Sequence, residues 1–167
     1  KGLEKDGELP GGLHVRRKAK QLFNAPIDDF KLREISAYAY ATSEQNAGGG
    51  VIVTAPTCGA SGVLPSLLYY YEMHERISKS KIIDALAVAG LVGNIIKTNA
   101  SISGAYAGCQ SEVGSATAMA AAAVAFLRGY SIEEIEYAAE IALEHQLGLT
   151  CDPVNGLVQI PCIERCA

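Results

Sequence analysis

The sequence predicts an all-α fold, a helical bundle interrupted by three irregular loops, and three observations lead there. Apolar residues recur at helical spacing through most of the 167-residue chain. One segment, SATAMAAAAVAFLRG, is small and apolar on every side, as a central, tightly packed helix is. Glycine, proline, serine and threonine gather instead into residues 48–62, 99–112 and 148–166.

The elements follow in chain order. Residues 1–12, closing on Pro10-Gly11-Gly12, read as a linker or arm, and residues 13–167 as the helical domain. From Leu13 to about Arg33 the pattern is helical but broken at Pro26, which predicts two helices. A further helix over about 34–47 is stopped by Gly48-Gly49-Gly50. VIVTAPTCGASG is a β-branched stretch running into a turn-rich loop, and VLPSLLYYYEMHERI resumes a helix with Pro65 in its first turns.

Residues 79–98 form a long apolar helix in which Gly90 and Gly93 predict close helix contacts. SISGAYAGCQSEVG is the second loop, and it opens into the alanine-rich helix. Ser131 with Glu134 makes a capping box, and Ile135, Ala138, Ala139 and Ala142 carry a helix on to about Gln146. The tail TCDPVNGLVQIPCIERCA contains Pro153, Gly156 and Pro161 and cannot be one continuous helix.

Composition narrows the function. The chain is 49% apolar and 19% charged, which is globular rather than disordered. A net charge of −4 argues against a nucleic-acid binder, and the one basic cluster, Arg16-Arg17-Lys18-Lys20, reads as a solvated helix face. The apolar runs at 82–96 and 113–127 read as too short to span a bilayer, so no membrane partner is expected. An odd number of cysteines without a secretion signal points to a reducing, cytoplasmic setting. With Lys1 in place of a methionine, the chain reads as part of something longer.

All five cysteines fall in or beside the loops. Any one of them alone is best read as a small buried apolar residue. Cys109, Cys151 and Cys162 together, in loops rich in glycine or proline, read instead as a thiolate donor set for zinc or an iron–sulfur cluster. The only close pair is Cys162 and Cys166, so spacing leaves the choice of metal open. Three thiolates would leave one iron of a cluster open as a Lewis acid.

GGGVIVTAPTCGASGVLP, SGAYAGCQSEVGSATAMAAA, AAEIALEHQLGLTCDPVNGLVQIPCIER and the early PGGLHVRRKA together resemble the α domain of bacterial iron–sulfur-dependent L-serine dehydratases. The similarity runs in order through nearly the whole chain. It implies a [4Fe–4S] cluster rather than pyridoxal phosphate, held by Cys109, Cys151 and Cys162, and conversion of L-serine to pyruvate and ammonia. It also implies a partner β domain or β subunit and an oligomer, homomeric or heteromeric.

The turn TAPTCGASG offers Thr57, Cys58, Gly59 and Ser61 as the substrate-binding stretch, with backbone N–H groups at a helix start for the serine carboxylate. The bland alternative is a plain glycine-rich turn. Glu112 and His145 are the candidate proton-transfer groups, although each also suits a helix end. Cys166 stands where the family pattern commonly has asparagine and reads as a tolerated small residue. Two other classes compete: a cluster-dependent lyase for another β-substituted amino acid such as cysteine, and a non-catalytic helical interaction domain.

Overall fold

The computed structural model describes all 167 residues and contains seven α-helices and no strand. The helices are α1 (Ala19–Phe23), α2 (Phe30–Ala47), α3 (Val63–Met73), α4 (Lys79–Asn99), α5 (Gly104–Ala107), α6 (Cys109–Leu127) and α7 (Ile132–Glu144). Short 3-10 turns occupy Gly2–Glu4, Val154–Gly156 and Glu164–Cys166. The chain divides into two compact units: residues 1–66 with 152–167, and residues 67–151.

In the first unit α2 is the organising helix. Asp29 caps it by accepting from the Leu32 N–H at 2.9 Å, so it starts four residues earlier than Glu34, where the apolar pattern places it. Gly48 and Gly49 end it, the latter with a φ of +72° that suits glycine. Residues 13–18 are not helical. Arg16 instead forms an antiparallel bridge with Glu8, leaving a single five-residue helix before Pro26.

Residues 1–12 are drawn into this unit, with Leu9 buried and Gly2 set against the backbone of Ala41. Glu44, buried on α2, holds the following segment by accepting from the backbone N–H groups of Lys18 at 2.5 Å and Ala19 at 3.3 Å. Burial pushes the Glu44 carboxyl above its ordinary value, and those two N–H groups and Arg17 oppose the shift. The tail returns to the same unit through Lys18 with Glu164 at 3.0 Å, and through the Ser36 hydroxyl donating to the Ala167 carbonyl at 3.0 Å.

In the second unit α6 lies between α4 and α7, as its small side chains require. Ala118, Ala122 and Ala139 form the buried centre, with Val88, Val92, Ile96, Ile135 and Leu143 packed around it. Gly93 admits the Met119 side chain, whose sulfur would lie 2.8 Å from any Cβ at that position, whereas nothing lies within 4 Å of Gly90. Ser131 and Glu134 form the expected capping box on α7.

The helix expected over 79–98 is present as α4, but the run at 82–96 that read as too short for a bilayer lies within it. Lys79–Asn99 is 21 residues, its most apolar 18-residue stretch has a mean hydropathy of 1.3, and it is long and apolar enough to cross a membrane by length and composition. Its inner side packs on α6, while Ile83, Leu86, Leu91 and Ile95 are exposed.

Candidate functional site

The second unit brings the Cys109 and Cys151 segments together. Gly108 precedes α6 with a φ of +83°, and a Cβ there would meet the Leu149 carbonyl oxygen at 2.6 Å. The Gln110 N–H donates to that same carbonyl at 3.0 Å, and the Gln110 side-chain oxygen accepts from the Gly148 N–H at 2.9 Å. Its side-chain amide nitrogen donates to the Ala107 carbonyl at 2.9 Å, which fixes its orientation. Gln110 therefore ties the strand of chain before Cys151 to the start of α6.

Cys109 is not in the loop but is the first residue of α6, and it is buried. Cys151 is exposed, in the irregular chain after α7. In the first unit Cys162 is half-buried in a turn, and Cys166 is buried with its sulfur 3.2 Å from the Gly59 carbonyl oxygen. Cys166 therefore tethers the 57–61 turn, a closer role than that of a merely tolerated small residue. None of the five forms a disulfide.

No three His, Cys, Asp or Glu side chains form a group that could hold a metal ion. Cys109 and Cys151 belong to the second unit and Cys162 to the first. The physical contrast is plain: one thiol is sealed in a helix start, one faces solvent, and one is partly covered in its own turn. All three have the donor chemistry that a cluster requires.

The 57–61 turn is built largely for itself. Thr57 Oγ1 accepts from the Ala60 N–H at 3.2 Å, and the fully buried Ser61 hydroxyl donates to the Cys58 carbonyl at 2.7 Å. Cys58 and Gly59 face outward into a cleft of about 590 Å³, completed by Pro10, Gly11, Asn46, Ala47 and residues 156–159. No side chain lining it carries a formal charge.

Gln159 sits in the wall of that cleft, 3% exposed. Its Nε2 donates to the Pro10 carbonyl at 2.7 Å, while its buried Oε1 meets no donor. Such an unmet acceptor costs about 1–3 kcal/mol. Sequence reasoning missed both Gln110 and Gln159. The only available signal was their position one residue after Cys109 and three before Cys162.

The two proton-transfer candidates differ. His145 is exposed at the end of α7, and its Nδ1 lies 2.7 Å from the Ile141 carbonyl, so that nitrogen carries the proton and the ring caps the helix. Glu112 lies in the first turn of α6, half-buried against Gly104.

The fold and the site define an all-α helical domain with a tethered glycine turn beside an uncharged cleft. Comparison with known sequences makes it specific. The profile described as serine dehydratase alpha chain matches residues 1–167, and the chain belongs to that family. It is 50% identical over 171 residues to the L-serine dehydratase of Streptomyces coelicolor, covering 99% of this chain and 38% of that protein. The L-serine dehydratase TdcG of Escherichia coli is 47% identical over 174 residues, with coverage of 99% and 38%. The Helicobacter pylori L-serine dehydratase is 49% identical over 171 residues, with coverage of 96% and 38%. The chain thus spans well under half the length of these relatives.

Proposed function

We propose that this chain is the α portion of a lyase that dehydrates and deaminates L-serine to pyruvate and ammonia. One observation carries the reading: the family match runs over the entire chain, with relatives named L-serine dehydratase at close to half identity. The cleft beside Cys58 and Gly59 is the proposed place for the substrate, and backbone N–H groups of the 57–61 turn are the proposed partners of its carboxylate.

The reaction balances without an external oxidant. The α-proton leaves C2, the C3–O bond breaks, and water departs to give 2-aminoacrylate. Protonation at C3 gives the imine, which takes up one water and releases ammonia and pyruvate. In this reading Thr57 and Ser61 hold the shape of the turn rather than touch substrate, and Cys166 steadies it through Gly59. Glu112 is the candidate for proton transfer on this chain, while His145 serves the end of α7.

The finer proposal is a [4Fe–4S] cluster on Cys109, Cys151 and Cys162, with an open iron as Lewis acid toward the serine hydroxyl. A cytoplasmic setting and a β domain or subunit, corresponding to the rest of the relatives' length, complete the proposal.

The test is pyruvate and ammonia release from L-serine by the assembled enzyme, purified without oxygen. Equal amounts of the two products support the reading. Their absence in enzyme that is folded and loaded with iron contradicts it.

A further inference from the structure

We infer that Gln159 is the acceptor for the α-ammonium group of the amino-acid substrate and so selects amino acids over the corresponding hydroxy acids. The inference rests on the proposed lyase reading and adds a residue to its site.

The Pro10 carbonyl can only accept, so the 2.7 Å contact fixes Nε2 on that side and leaves Oε1 at the other end. Pro10 and Gly11 hold the amide in place. Gly11 has a φ of +111°, and a Cβ there would meet Leu157 Cδ1 at 2.8 Å and Gln159 Nε2 at 3.9 Å. The oxygen so fixed is buried and has no donor. Buried acceptors are ordinarily satisfied, and one left open in the wall of a cleft calls for a donor from the ligand.

The lining says which donor. A cleft without formal charge suits a ligand that is neutral overall, and an α-amino acid is a zwitterion. With backbone N–H groups of the Cys58–Gly59 turn taking the carboxylate, the ammonium needs carbonyl oxygens. Gln159 Oε1 supplies one, and Asn46 lies in the same lining to supply another. Leu157 is half-buried in the same wall.

A ligand-and-residue cycle tests the inference in the assembled enzyme. The KM for L-serine and the Ki of 3-hydroxypropanoate, which lacks only the amino group, are measured for the parent and for Gln159→Leu. Gln159→Met serves if the leucine variant fails to fold. The parent should bind L-serine at least about tenfold more tightly than 3-hydroxypropanoate, and the substitution should erase that preference while changing the Ki less than about twofold. Equal weakening of both ligands would mean that Gln159 only braces Pro10. No change in either would mean that Oε1 finds its donor elsewhere, such as in an ordered water. A parent with no preference for the amino group overturns the inference directly. A parent that forms no pyruvate fails the lyase reading itself, a separate result from any of these.

Discussion

The backbone N–H of Gln110 donates to the carbonyl of Leu149 at 3.0 Å, joining the residue after Cys109 to the chain just before Cys151. Gly108 makes that approach possible, because any side chain there would collide with the same carbonyl oxygen. Replacing Gly108 with alanine adds both a positive-φ penalty and a backbone clash at 2.6 Å, together about 1–3 kcal/mol. The expected outcome is a lower Tm and a Cys109 thiol that reacts with Ellman's reagent, where in the parent it is buried. An unchanged Tm and a shielded thiol would show that the two segments are not held this way.

Gly90 and Gly93 lie on one helix and should respond oppositely to alanine. Gly90 has nothing within 4 Å, so Gly90→Ala should raise stability by roughly 0.5–1 kcal/mol through helix propensity. Gly93 faces the Met119 sulfur, and Gly93→Ala should lower stability by about 1–3 kcal/mol through overpacking. Denaturant midpoints of the two variants at matched m-values check the pair.

Glu44 gives stability a pH dependence of known sign. Its carboxyl is raised in the folded state, mainly by burial, so folding favours the protonated form. The contribution is fully present below the ordinary glutamate value and is lost as pH rises through the raised folded value. Glu44→Gln keeps an oxygen for the Lys18 and Ala19 N–H groups and removes the charge. Its stability should therefore be flatter than the parent's between about pH 4 and pH 7, read by urea unfolding across that range.

Much of the fold was legible because its signals are local. The box formed by Ser131 and Glu134, the stop at Gly48-Gly49 and the all-round burial of α6 each follow from a few neighbouring residues. The misreadings arose where partners far along the chain decide. Arg16 pairs with Glu8 instead of entering a helix, and α2 begins at an aspartate cap that the apolar pattern does not mark. The candidate site residues were named from motifs, which carry no information on arrangement. TAPTCGASG pointed to a substrate-binding turn at a helix start, yet nothing local says that Ser61 points inward or that Gln159 reaches Pro10, 149 residues away. The thiols stood out by residue type, while their separate environments belong to the folded chain.

Cys109, Cys151 and Cys162 are the proposed holders of the iron–sulfur group on which the proposed lyase depends. The most direct measurement is iron and labile sulfide per chain after oxygen-free reconstitution of the assembled enzyme, for the parent and for Cys109→Ala, Cys151→Ala and Cys162→Ala. The account predicts about four of each in the parent, as a [4Fe–4S] cluster requires, and a marked loss in every variant, with Cys58→Ala unaffected. A parent without iron, or full iron content in any of the three variants, would contradict it.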